Sequence, residues 1–160
     1  MNDALPPLRP SRAEVEAALD ATGFDLARHN AHLVRRAHQR ATALFQRAFE
    51  GLGVTPPQFA ILATLLHHGA LSQIALGRLT AVDTATLSTM LRRLTEMGHV
   101  HRRAFEEDQR VNLVDLTDAG AAFTLAGLPL SQEVSDRVLD PLDPAERAAF
   151  AAALARIGQE

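Results

Sequence analysis

The chain has 160 residues, 47% of them apolar and 22% charged, with no cysteine and a net charge of −3. That length gives one ordinary domain enough core to fold unaided, and the composition is globular rather than disordered. The missing thiols exclude disulfides, thiolate metal centres and cysteine-based redox switching. Met1 to Arg12 has no apolar segment of the signal-peptide kind, and no apolar run nears the roughly 20 residues that span a bilayer. The expectation is a soluble, cytoplasmic chain with no membrane partner.

Charge is unevenly spread. All 16 basic residues are arginine, as a GC-rich coding bias gives. Phe24 to Glu50 carries five arginines against two acids, whereas Asp118 to Glu160 carries three against seven. A chain acidic on average can therefore still present a basic face, and local potential governs contact with nucleic acid.

In chain order, Ser11 with Glu14 forms a capping box that opens a short helix to Ala21, and Gly23 ends it. Asp25 to Phe49 reads as one long helix, with Leu26, Leu33, Ala37, Leu44 and Ala48 on a common face. Thr55-Pro56 starts a second long helix that stops at Gly69. Ala70-Leu71 allows only a minimal strand. Ser72 caps a short helix to Leu79, and Asp83 caps another to Met97 with Leu87, Met90, Leu91 and Leu94 inward and Gly98 as its stop. From His99 to Leu116 the period shortens to that of a β-hairpin, with Val100, Val111, Leu113 and Leu116 set among polar residues and Val114 out of alternation. Thr117 opens a helix interrupted at Pro129. Asp143 opens a last one carrying Phe150, Leu154 and Ile157.

Two short helices joined by a tight link and followed at once by a ribbon give the order of a winged helix-turn-helix. The second helix offers Thr84, Thr86, Ser88, Thr89, Arg92 and Arg93 outward. Small hydroxyls permit close approach to base edges, and arginine suits guanine or phosphate. Ser72 and Gln73, at the start of the first helix, join the DNA-contact set. On the ribbon, Arg102 and Arg103 precede the tip and Arg110 follows it, placed for a minor groove or phosphates. Asp108 is placed to pair with an arginine there. A solvated polar helix and an ordinary charged turn are the plainer alternatives, and Glu106 and Glu107 favour the latter.

The run from Asp108 to Gly120 has the pattern D-x-R, five residues, then L-T-x-x-G. Val54 to Leu62 is an LTPPQFAIL-like opening, and Leu71 to Arg103 has the order of two recognition-motif helices and a first wing strand. As a set these resemble the MarR family over about Phe24 to Gly127. The resemblance implies a mainly α fold with a small β-hairpin wing. It implies a homodimer whose N- and C-terminal helices interlock, and two winged heads that read a pseudo-palindrome on double-stranded DNA. Position by position, the wing arginine falls on Arg110, its acid on Asp108, and the reading helix on Asp83 to Leu94. Thr89 stands where many relatives carry a basic residue, so base preference does not transfer. The implied organisation is an N-terminal arm over 1–23, a dimerisation helix over 24–54, the DNA-binding head over 55–116 and C-terminal dimerisation helices over 117–160. Leu139, Leu142, Phe150, Leu154 and Ile157 fit a dimer interface or burial within one subunit.

Many members of the family release DNA on binding a small aromatic acid. His29, His32, Arg36, His38, Gln39 and Arg40 concentrate donors suited to such a carboxylate. A basic face that is solvated or bridges a dimer is the alternative for each. The stretch from Arg35 to Gln46, with Leu71 to Thr86, resembles regulators of nicotinate breakdown and, less closely, urate-responsive members. No metal-ligand spacing joins the histidines, so no metal or cofactor beyond an aromatic carboxylate effector is expected. Phosphate loops and nucleophile motifs of enzymes are missing. A winged-helix module that binds protein instead of DNA remains the rival.

Overall fold

The computed structural model describes residues 9–104 and 112–158. Helix α1 spans Arg12–Thr22, a 3-10 turn Leu26–Arg28, α2 Asn30–Ala48 and α3 Pro56–His68. Strand β1 (Leu71–Ser72), α4 (Gln73–Thr80), α5 (Thr84–Glu96), β2 (Val100–Ala104) and β3 (Asn112–Leu116) follow, then α6 (Asp118–Val138) and α7 (Pro144–Ile157). The chain divides into two compact units, one ending at Gln39 and one beginning at Arg40.

In the first unit the capping box closes as its sequence requires: Ser11 N–H donates to Glu14 Oε2 at 2.7 Å, and Glu14 N–H donates to Ser11 Oγ at 3.3 Å. The single helix expected from Asp25 is broken. Asp25 Oδ1 accepts from Ala27 N–H at 2.8 Å, a local turn that competes with helix, and His29 is extended before α2 starts. No residue of α1 is buried, and Val15, Leu19, Phe24, Leu26, Leu33 and Val34 are all exposed.

In the second unit, α3, α4, α5, the sheet and α6 share one core of Leu62, Leu65, Leu76, Leu87, Leu91, Leu94, Val100 and Val114 with three phenylalanines. Phe45 and Phe49 stack at 4.0 Å between ring centroids, and Phe49 meets Phe59 at 4.8 Å. α6 crosses this cluster at Gly127, where a Cβ would stand 2.6 Å from the Phe59 ring.

The ribbon is part of a three-stranded sheet of order β1-β3-β2, because Leu71 and Ser72 pair with Val114 and Leu113. The register Val100↔Leu116 and Arg102↔Val114 turns Val100, Val114 and Leu116 to the core and leaves Leu113 half-buried on the other face. Val114 is thus an inward residue of β3 with Leu116, and the pairing sets the register that its break in alternation leaves open in the sequence. Val111 lies outside the described residues.

α6 is continuous through Pro129, against the expected interruption. Pro129 removes one donor, but Leu125, whose carbonyl would have accepted it, is exposed to water, as is Pro129. On the opposite side Gly120, Thr124 and Gly127 are buried and hold the helix in place.

The sheet and α6 are locked together at His99. Its carbonyl accepts from Thr117 N–H at 3.0 Å, its ring stacks on Phe123 at 4.4 Å, and Gly120 passes so close that no Cβ fits beside that carbonyl. His99 Nδ1 is buried and finds no partner among the described residues; desolvation holds the imidazole pKa below its ordinary value.

Alanine ordinarily strengthens a helix interior by about 1 kcal/mol over glycine. At Gly120 the Cβ meets a backbone carbonyl that cannot rotate away, and overpacking costs about 1–3 kcal/mol. Gly120→Ala is therefore expected to lower the melting temperature by several degrees; an unchanged or raised value in a thermal melt would refute the close approach. For His99, the unfolded chain binds its proton at the ordinary value and the native chain only at a lower pH. Its contribution to stability is constant above the ordinary imidazole range and declines as pH falls through the window between the two values. Melts of wild type and His99→Phe between about pH 5 and 8 should show a shallower acid-side decline in the variant.

Candidate nucleic-acid interface

The short link between α4 and α5 is built from a close approach and an unusual backbone. Gly77 lets the turn fold over α4, since a Cβ there would stand 3.0 Å from the Val82 carbonyl oxygen. Ala81 adopts φ 52°, the left-handed region, and Val82 N–H donates to Gly77 O at 3.1 Å. Val82 packs half-buried against the core.

Asp83 then caps α5, its Oδ1 accepting from Thr86 N–H at 3.0 Å. Hydrogen bonds from Thr86, through its side chain first and its backbone next, hold the Asp83 carboxyl below the usual carboxylate range. Leu87, Leu91 and Leu94 are at most 1% exposed, which fixes the helix about its own axis. Thr84, Thr86, Ser88, Thr89, Arg92 and Arg93 are all exposed on the remaining faces, as their spacing requires.

Ser88, Thr89, Arg92, Thr95, Glu96, His101 and Arg102 line one open groove between α5 and β2. The structure thus brings three reader-helix residues together with the first wing arginine. Arg93 does not line that groove; it lines a smaller adjoining cleft with Gln58 and Met90. Arg103 turns to the opposite face of the ribbon, its Nε 3.2 Å from Asp115 Oδ2. An exposed pair of this kind contributes little stability but orients the guanidinium along the sheet. Asp108 and Arg110 lie outside the described residues. Ser72 Oγ accepts from Ala75 N–H at 3.2 Å and so caps α4, while Gln73 Nε2 donates to Ser88 Oγ at 3.3 Å across the two helices.

Sequence reasoning did not single out His101 or Asp115. Alternation along β2 and β3 is the signal that marks both as outward residues, and register is what makes Asp115 the neighbour of Arg103.

The six donors expected for an effector are dispersed. His29 lies beside Phe24, 5.5 Å between centroids, in a cleft of the first unit with Arg28 and Leu19. His32 Nδ1 is 3.2 Å from Arg35 Nη2. Arg36, His38 and Gln39 are exposed on α2. Arg40 Nη2 donates to the Arg137 carbonyl at 3.0 Å, satisfying the C-terminal end of α6. A separate cleft of about 850 Å³ in the second unit has Phe45, Phe59, Leu125 and Leu128 as apolar walls and Gln132 and Ser135 at its edge. Among the described residues no group of three or more His, Asp or Glu is arranged to hold a metal ion, and no helix is long and apolar enough to cross a membrane.

Removing the cap should fray the first turn of α5. Asp83→Ala is expected to weaken DNA binding and lower the melting temperature, and Asp83→Asn, which caps comparably, to retain both. Because the folded-state pKa of Asp83 is lowered, the cap is intact above the usual carboxylate range and is lost as pH falls through that lowered value. Equal affinities for Asp83→Ala and wild type in a retardation assay would show that the reader helix does not depend on it.

The MarR family model matches residues 54–111, a stretch that takes in α3, α4, α5 and β2. The HTH-type transcriptional repressor NicR of Pseudomonas putida is 37% identical over 134 residues, covering 84% of this chain and 85% of its own. The solved structure of BpsR of Bordetella bronchiseptica, whose DNA binding is regulated by 6-hydroxynicotinic acid, superposes with a TM-score of 0.81 at 30% identity, over 86% of this chain and 98% of that one. A mutant MarR of Escherichia coli complexed with operator DNA gives 0.74 at 26% identity, over 80% and 92%. The chain belongs to the MarR family of transcriptional regulators.

Proposed function

We propose that this chain is a dimeric repressor that occupies a pseudo-palindromic operator in the cytoplasm and leaves it when a small aromatic acid binds. The observation that carries the reading is the groove in which Ser88, Thr89 and Arg92 of α5 face Arg102 of β2, beside a helix face anchored in the core. A helix held in this way enters a major groove while the ribbon reaches outward along the duplex. Arg110 and Asp108 are further DNA-contact candidates in this reading.

The helices over 24–54 and 117–160 join two copies. Support comes from large apolar residues left in water on α2 and α7, namely Leu33, Val34, Leu154 and Ile157. Exposed apolar residues on two helices flanking a head are the surface an intertwined dimer would cover.

BpsR, whose DNA binding is regulated by 6-hydroxynicotinic acid, directs the choice of ligand to hydroxylated pyridine carboxylates. The apolar cleft offers two phenylalanine rings to an aromatic ligand, with amide and hydroxyl groups at its edge for polar substituents. Independently of this cleft, His29, His32, Arg36, His38, Gln39 and Arg40 are the candidate partners for an effector carboxylate. A differential affinity of a few kcal/mol between two conformers is enough to release DNA.

Retardation of the intergenic DNA beside the chain's own gene, repeated across salt concentrations, tests the first claim. Strong salt dependence is expected, with Arg110→Ala and Arg92→Ala weakening binding while the dimer persists. Failure to retard any neighbouring fragment would favour a protein-binding module. Nicotinic and 6-hydroxynicotinic acids are expected to raise the melting temperature and release the DNA. Loss of that response in Arg36→Ala or Arg40→Ala, with DNA binding intact, would identify the carboxylate's partner. A panel of aromatic acids without effect on either measurement would refute the effector class.

A further inference from the structure

The two neighbouring hydroxyls of the reader helix are not chemically equivalent. A hydroxyl has one proton to donate and two lone pairs to accept with. Ser88 Oγ accepts from Gln73 Nε2 at 3.3 Å, and among the described residues nothing accepts the proton of Ser88. Thr89 is the reverse case. Its Oγ1 donates to the Ala85 carbonyl at 3.2 Å, so its proton is engaged within its own helix and only lone pairs face outward. Both residues are exposed and both line the groove between α5 and β2.

We infer that Gln73 is a positioning residue that occupies one lone pair of Ser88 and favours its proton facing outward, so that Ser88 and Thr89 together present a donor beside an acceptor. In the major groove guanine offers two acceptors, cytosine an amine and thymine a carbonyl with a methyl group. Adenine alone offers an acceptor, N7, beside a donor, the N6 amine. The Ser88–Thr89 pair is complementary to that edge. Gln73 is well placed for this role because it is the first residue of α4, held by the Ser72 cap and the β1 pairing. Its amide thereby ties the base-reading serine to a second, independently anchored helix.

The inference rests on the DNA-reading role given to α5 above, and one experiment separates the two. The full chain selects from a randomised double-stranded DNA pool, and the enriched duplexes are sequenced and titrated. Should wild type enrich no sequence, the reading as a sequence-specific regulator fails, and the inference with it. If wild type enriches a site, one adenine per half-site is expected to lose roughly three- to tenfold discrimination in Ser88→Ala and in Gln73→Ala alike. The double variant should lose no more than either alone. Gln73→Glu gives the decisive readout. Its carboxylate accepts the Ser88 proton, turns the Ser88 oxygen into an outward acceptor, and should move the preference at that position towards bases with an exocyclic amine and no paired acceptor. Replacing the selected adenine by 7-deazaadenine should weaken wild type by a similar factor and leave Gln73→Ala indifferent. Uniform loss on all sequences in Gln73→Ala, with a reduced salt slope, would instead make Gln73 a phosphate contact and overturn the proposal. An unchanged preference in Gln73→Ala and Gln73→Glu, with melting temperatures confirming that both fold, would overturn it equally.

Discussion

Burial of Leu87, Leu91 and Leu94 is the constraint on which the rest of the molecule depends. Three apolar side chains on one stripe of α5 enter the same core as Leu62, Leu76, Val100 and Val114, and the helix can then neither roll nor slide. Rolling it by one residue would put a leucine in water and a threonine or arginine in the core. Either exchange costs more than a polar contact on the surface returns. The outward face is therefore defined by what the inward face cannot give up. Specificity for a base edge requires a helix whose orientation is set before DNA arrives, and the core supplies that orientation.

A second connection runs from this head into α6. The His99 carbonyl, the Thr117 cap, the passage of Gly120 and the stacking of Phe123 join the start of the wing to the start of a 21-residue helix. Farther along, Gly127 brings the same helix onto Phe59, which contacts Phe45 and Phe49 of α2 and the segment after it. The apolar cleft opens beside these rings. A ligand seated there, as proposed above, would act on α6 through these rings, and α6 is fastened to the sheet that carries the wing. Two packed arrangements of that one helix are all that a coupling between cleft and head requires.

The parts of the fold legible in the sequence are those set by short-range chemistry. Ser11, Ser72, Asp83, Thr117 and Asp143 all sit at helix starts, because a side chain that accepts from a backbone N–H two or three residues on needs no tertiary context. The leucine stripe of α5 was legible for the same reason. The break at His29 was not, since it depends on a local turn by Asp25 that a periodic apolar face conceals. The side Val114 faces is open in the sequence because β3 is the central strand, and only its pairing with both β1 and β2 decides which side faces the core. The continuity of α6 depends on water reaching the side of the helix that Pro129 occupies, which the sequence does not state. At the candidate interface, residue types on α5 were readable from spacing. The pairing of Arg103 with Asp115, and the polarity that Gln73 gives Ser88, arise across strands and helices distant in sequence.

Ala81 has a consequence of its own. Most residues avoid the left-handed backbone by about 1–2 kcal/mol, and glycine escapes that penalty, yet an alanine occupies the bend that sets the angle between α4 and α5. The bend consequently does not hold itself; it is held by Val82 seated in the core and by the fit of Gly77 beneath it. Any disturbance that unseats Val82 lets the backbone relax, and the relaxation swings the reader helix. The pitch of that helix is thus a property of the packed interior, transmitted through a hinge that resists its own shape.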